Sequence, residues 1–539
     1  MGSSHSPQRQ AHNYEGCLPV PVLESTIDAY FEHCHNQPYS FFHEANFRQK
    51  YSDGTIPDHL LFAILANAVR FSTESFFGDK IFDFAVAFAN QSWKSIVSTC
   101  FAANQSADLH TVQTVTLLSI FDFTAGRSRH GSAWVKIGMA VRIAQDLKLM
   151  LGQRTHIPHC VQEEHRRVFW SIYLLDRLVS CGRGRPPAIL DASCQLQLPL
   201  DETKWRDGLW EKTLTLEEAS DRALVNNSTH GPFARVIMIA QILGRTAQYM
   251  LQECNFRNRY PPWEATSDFA ATESDLLLLE TRFQMRLPLK QEIGRHLFDT
   301  DSMDQAIVGP IIFSRALFHL CYCILHHPFL LRKRIRSCQM SVPPSFLVRT
   351  FASGRQHANS LARHIHNARE LGCYVQASFY GYCAVVSGSI AGLDAHATDK
   401  ETRNEALHSL KESIAFLEDL SRHWANACLL LTALKTFVEN SYKFRFLSED
   451  SIVDPGLGAE DEDLLWSLVD YSTMSNASPA QPTEHSDTHL QLNTSTSWYE
   501  LFSSADWGDI DVLDHDFPIG VDEVEEDRST VTAIHQYGS

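Results

Sequence analysis

The densest set of side chains able to do chemistry lies in EEHRRVFWSIYLLDRLVSCGRGRPPAI, Glu163 to Ile189. At helical spacing Phe169, Ile172, Tyr173 and Asp176 share a face, while Arg166, Arg167 and Arg177 supply charge-assisted donors and Gly184-Arg185-Pro186-Pro187 makes a turn. Acids and bases set in so apolar a helix are what ion pairs and caps inside a core require, so they read as structural ahead of a ligand site. Histidine is the other candidate. His33-Cys34-His35 and His326-His327 are adjacent in sequence, and neighbours on a helix point about 100° apart, which rarely lets them hold one ion. No metal site is expected, and no catalytic residues: there is no phosphate-binding loop, dinucleotide fingerprint, nucleophile elbow or H-E-x-x-H pair. A helical D-D-x-x-D cluster, which a terpene synthase would need for magnesium and diphosphate, is also missing. The chain is read as a non-enzyme.

Those residues must be positioned by helices. From about 22 to 445 apolar residues recur at helical spacing with almost no alternating runs, which predicts an all-α fold. Pro57 can occupy a first turn, after which Leu60, Leu61, Ile64, Leu65, Ala68 and Val69 form a stripe. Further stripes run over 79–103, 110–123, 132–149, 163–181, 233–254, 273–298, 303–335, 344–370, 376–393 and 402–446, about a dozen helices in all. In the helix GSAWVKIGMAVRIAQDLKLM, Gly131 to Met150, Trp134, Ile137, Val141 and Ala144 share a face, and Gly138 and Ala140 should admit another helix closely. Residues 194–230 carry a weak pattern and are expected to cross the domain surface as an irregular connection.

Charge divides the chain. From 449 to 539 there are 21 Asp and Glu and one Arg, net -20, which leaves 45 Lys and Arg against 43 Asp and Glu, net +2, in the first 448 residues. An overall charge of -18 opposes a phosphate-wrapping surface. The 13 cysteines are scattered; Cys321, Cys323, Cys383 and Cys428 lie in apolar surroundings and read as buried reduced thiols. There is no secretory signal and no run of eighteen apolar residues, so no membrane association is expected. The expected organisation is a flexible N-terminal tail (1–21), a helical domain (22–448) and a disordered acidic tail (449–539).

Ala133, Trp134, Gly138, Ala140, Arg142 and Ala144, followed by Glu164, Arg166, Arg167, Trp170, Asp176 and Arg177 and then Gly184, Arg185 and Pro186, resemble the paired motifs of the middle homology region of fungal zinc-cluster transcription factors. IDAYFEHCHNQPYSFFHEANF (27–47), LFHLCYCILHHPFL (317–330) and LEDLSRHWANA (417–427) are similar to the family's opening and later helices. The family often ends its first motif helix with L-G-L-H; here Leu147-Lys148-Leu149-Met150 stands there, which questions the turn. Family members usually begin with six cysteines holding two zinc ions; no C-x2-C occurs in this sequence, so the chain is expected to reach DNA only indirectly, with zinc expected only if an upstream cluster precedes it.

The resemblance implies a nuclear regulator whose helical region restrains or exposes an activation function. Two tail segments fit acidic activation: Asp461 to Tyr471, with Leu465 and Trp466, and Thr496 to Phe517, with Trp498, Tyr499, Phe502, Trp507 and Phe517 as anchors for a coactivator groove. For the first segment the alternative is that Leu464 to Tyr471 docks on the helical domain as a last helix. The basic run Arg332, Lys333, Arg334 and Arg336 reads equally as a nuclear localisation signal or as the solvated end of a helix. Expected partners are transcriptional coactivators and a DNA-bound zinc-cluster factor or a second copy; a corepressor or a dimerisation subunit is the rival reading.

Overall fold

A computed structural model describes residues 18–101, 106–126, 129–152, 157–221, 230–252, 260–294, 303–336, 338, 340–449 and 456–472. Nineteen α-helices and no strand occur among them, as the periodicity predicts. Local sequence sets the helix starts. Pro232 and Pro344 occupy first turns, where a missing N–H is no loss. At Leu109–Thr124, the Asp108 carboxylate accepts the Thr111 N–H at 2.8 Å and the Thr111 hydroxyl accepts the Asp108 N–H at 3.2 Å.

One apolar core runs from Leu18 to Tyr471. Its centre is the helix Gln305–Leu325, packed against Pro232–Met250, Pro344–Glu370 and Phe379–Asp394. Gln305–Leu325 is long and apolar enough to span a membrane, yet 94% of its apolar window is buried within the body, which is how a core helix looks. Phe379–Asp394 approaches Ala425–Asn440 closely enough that a methyl group on Gly392 would lie 2.6 Å from the Phe437 ring.

Three long stripes are each broken. The 303–335 stripe becomes Gln305–Leu325 and Pro328–Arg336, because Pro328 lacks a donor and pushes His327 out of helical geometry. The 273–298 stripe ends at Arg282, with Gln284 left-handed (φ 50°), and resumes after Pro288 as Leu289–Ile293. The 402–446 stripe divides into Lys400–Leu420, Ala425–Asn440 and a 3-10 segment, Ser441–Ser448. Residues 194–221 also depart from the surface connection expected: Leu196, Leu198, Leu200 and Trp205 are buried.

The packed body does not stop at 448. Helix Ala459–Val469 lies on it, with Leu465, Trp466, Leu468, Val469 and Tyr471 buried. This corrects the assignment of Leu465 and Trp466 as exposed activation anchors and carries the described body past 448 to Ser472, the last residue described. The carboxylates at 460–463 occupy the helix's first turn, where Asp461 and Glu462 pair with Lys443 and Lys333, and the apolar residues of the following turns face the body. Trp498, Tyr499, Phe502, Trp507 and Phe517 lie outside the described residues. Cys428 is exposed rather than buried, whereas Cys321, Cys323 and Cys383 are buried free thiols.

Candidate functional site

The motif helix His159–Val179 begins after Pro158 and is buried on nearly every side from Glu163 onward. Its charges are therefore stable only when paired. Glu163 accepts from Arg166 (2.5 Å), from Arg167 Nε (3.0 Å) and from the Leu200 N–H (2.9 Å). Arg167 spends its remaining donors on the Ser40 hydroxyl (3.0 Å), Glu202 (2.6 Å) and the Leu200 carbonyl (2.9 Å), with its guanidinium 4.0 Å over Trp205. Burial alone would raise the Glu202 carboxyl; Arg167, His35 and Arg206 outweigh it and hold it well below the usual carboxylate range. Glu164 accepts from Gln113 at 3.2 Å, and burial raises its carboxyl. Trp170 is fully buried and donates its indole N–H to the Gln197 carbonyl at 2.7 Å.

One turn later, Asp176 accepts the N–H groups of Ala188 (2.9 Å) and Ile189 (3.1 Å) and pairs with Arg177 at 2.6 Å. Arg177 in turn donates to the Ile189 carbonyl (2.7 Å) and Asp191 (2.6 Å), and Tyr173 donates to the same Asp191 oxygen at 2.7 Å. The D-R motif thus sews the chain after the G-R-P turn back onto its own helix. Gly244 makes room: a methyl group there would lie 2.5 Å from Arg177 Cδ. The outer side of this knot faces a cleft of about 640 Å³ that includes Ile189, Asp191, Gln241, Arg245 and Tyr260 in its wall.

The segment between the two motifs grips the last helix. The Tyr471 N–H donates to the Cys181 carbonyl at 2.8 Å, and Arg183 meets buried Asp470 at 3.1 Å while lying 4.4 Å over Trp466. Tyr382 donates to the Val469 carbonyl at 2.6 Å, and Phe329 meets Trp466 edge-on at 5.1 Å. Gly182 is required here, since a methyl group on it would lie 2.7 Å from both Asp470 and Ser472. Arg185 lies 4.8 Å over Trp134, and its carbonyl accepts from Gln252 at 3.1 Å. Exposed Gly184 and Pro186 carry the turn between these anchors.

The motif residues therefore divide. Arg166 and Arg167 form one buried cluster with Glu163 and Glu202, and Asp176 and Arg177 a second with Tyr173 and Asp191; Glu164 bonds Gln113, Trp170 bonds Gln197, and half-buried Arg185 lies over Trp134. Gly138 and Arg142 stand apart from these contacts: Gly138 is exposed with open space around it, which corrects the expected helix approach, and Arg142 donates to Gln145 on the helix surface. The turn after this helix keeps the geometry a glycine would favour. Lys148 is left-handed (φ 56°), and Leu149 and Lys148 donate back to Ala144 and Gln145.

The basic run is used structurally. Arg332 is buried and donates to the carbonyls of Phe446, Leu447 and Glu449; Lys333 pairs with Glu462; Arg334 lies 4.7 Å over Tyr249. Arg336, at the end of this helix, is exposed. His326 and His327 point to different partners, the Thr350 carbonyl and the Ser389 hydroxyl. Among the described residues no three His, Cys, Asp or Glu side chains converge as a metal site. Sequence reasoning missed Ser40, Glu202 and Asp470, which lie far along the chain from the motifs they complete, and Asp191, just after the turn. It also missed buried Asp122, which binds Arg129, Ser132 and Lys136. A lone acid carries no local signal of its distant partner.

Residues 27–295 match the fungal specific transcription factor domain. The chain is 23% identical over 451 residues to the Zn(2)-C6 fungal-type transcription factor FTF1c of Fusarium oxysporum f. sp. lycopersici, covering 79% of this chain and 47% of that protein. It is 22% identical over 452 residues to FTF2 of the same fungus, 79% of this chain and 41% of that protein. An uncharacterised transcriptional regulatory protein of Schizosaccharomyces pombe is 27% identical over 273 residues, 47% of this chain and 27% of that protein. The chain thus spans less than half the length of these relatives. No solved structure matches it.

Proposed function

The chain belongs to the family of the fungal specific transcription factor domain, and from that premise we propose that it is a nuclear transcription regulator whose helical body carries an acidic, aromatic activation segment beyond Ser472. The observation that supports this best is the match over 27–295, which contains both motif helices and the ion-pair clusters of Arg167 and Arg177. Buried, mutually satisfied charges suit a rigid body that holds other segments in place; the same body grips the last described helix through Arg183 and Tyr382. Coactivators are the proposed partners of Trp498, Phe502 and Trp507, and a DNA-bound zinc-cluster factor or a second copy is the proposed route to DNA.

Residues 473–539 fused to an unrelated DNA-binding domain are expected to activate a reporter, and Trp498→Ala, Phe502→Ala and Trp507→Ala together to abolish activation. Leu465 and Trp466 are packed in the body, so the fusion begins after them. A silent fusion removes the activation claim, and silence combined with tight binding to a zinc-cluster protein moves the reading to a corepressor. Nuclear enrichment of the fluorescently tagged full chain tests the location.

A further inference from the structure

Helix Ile81–Cys100 buries Ala85, Ala89, Ser92 and Ile96 against the body, chiefly the helix Asp58–Ala68. Its outer side is unusual. Phe82 is 39% exposed and Val97 44%, with half-buried Val86 and Trp93 between them and Phe101 (41%) just beyond the helix. At about 100° per residue, Phe82, Val86, Trp93 and Val97 fall within an arc of roughly 60°. The rings are held: Trp93 lies under the Lys136 ammonium at 4.5 Å and 6.5 Å from the Phe101 ring. Asp83 and Lys94 flank the stripe on one side, roughly 20° apart around the axis. Both are exposed, and neither joins an ion pair among the described residues.

The spacing of these residues is symmetric. Reversing the helix about the point between Ala89 and Asn90 exchanges Phe82 with Val97 and Val86 with Trp93. It also brings Asp83 within two residues of the place of Lys94, about 3 Å along the axis, which a lysine side chain spans. A two-fold interface needs this self-complementarity, because each contact must occur twice. In a parallel two-fold pair Asp83 and Lys94 would fall on the flank opposite their copies, and neither would meet an opposite charge.

We propose that the chain forms a two-fold homodimer by antiparallel pairing of helix Ile81–Cys100, with Phe82 on the partner's Val97, Val86 on the partner's Trp93 and Asp83 on the partner's Lys94. A twenty-residue helix is about 30 Å long, so the interface is at the small end of specific contacts and the dimer is reversible at micromolar concentration. The inference does not depend on the transcriptional reading.

Sedimentation velocity of the full chain through the micromolar range tests it. The wild type should pass from monomer to dimer. Asp83→Lys and Lys94→Asp should each weaken association by about tenfold, since each sets like charges together twice. The double swap should restore it, and the two single variants mixed should associate better with each other than with themselves. Phe82→Glu with Val97→Glu should leave a monomer of unchanged helical content and melting temperature. A wild type that stays monomeric overturns the inference; so does a dimer indifferent to all these changes, or a double swap no better than the singles.

Discussion

Lys148 shows how a residue can depart from a family pattern while the backbone keeps it. Leu149 donates to Ala144 and Lys148 to Gln145, closing the helix in a turn whose left-handed residue strongly favours glycine. The Lys148 side chain is exposed, so nothing is lost by removing it, while a left-handed L-residue costs roughly 1–2 kcal/mol. Lys148→Gly should therefore raise stability by about 1 kcal/mol after the added chain entropy of glycine, read as a higher denaturation midpoint with unchanged slope. This position also marks what sequence conveys about the site. Residue types at 163–189 predicted paired buried charges, and pairs are what form. The partners Ser40, Asp191, Glu202 and Asp470 were not legible, because an isolated acid or hydroxyl has the same local signature whether it is solvated or buried against an arginine.

At the scale of elements, helix existence followed from apolar periodicity, but the length of the longest stripes did not. A stripe continues across Pro328 because apolar spacing survives a break that backbone donors do not. The last helix was the hardest to place, since local composition at 460–463 favours solvation while the groups that capture it, Cys181, Arg183, Phe329 and Tyr382, lie far earlier in the chain. Its removal is informative. Leu465, Leu468 and Val469 alone bury about 1.5–3 kcal/mol each in gross transfer terms, and their loss uncovers Phe329, Tyr382 and Phe379. A chain ending at 455 should melt several degrees lower and bind a hydrophobic dye. A chain ending at 472 should melt like the full protein. Equal stability of the two truncated chains would show that the docked helix contributes nothing to the body.

The whole body is held together by groups that tolerate little protonation, which gives it a direction of pH sensitivity. His326 and His327 are fully buried; burial lowers both to about 3, only partly opposed at His326 by its bond to the Thr350 carbonyl. His364 and His357 are lowered to about 4, again chiefly by burial. Each is neutral when folded and gains a proton near pH 6.5 when unfolded, so the unfolded chain binds more protons between about 6.5 and 4. The stability these histidines contribute is complete above 6.5 and is lost as pH falls from there toward their folded values. At pH 5 the loss is about 2 kcal/mol for each fully buried histidine, since the unfolded form is favoured by about 1.5 pH units. Glu164, Asp176 and Asp394 work the other way, because burial raises their carboxyls, and they offset part of the histidine loss. The melting temperature should therefore fall steadily from pH 7 to pH 5. His327→Gln, which keeps a group able to bond the Ser389 hydroxyl, should flatten that slope even where it lowers stability at pH 7. An unchanged slope would remove His327 from the set of groups responsible.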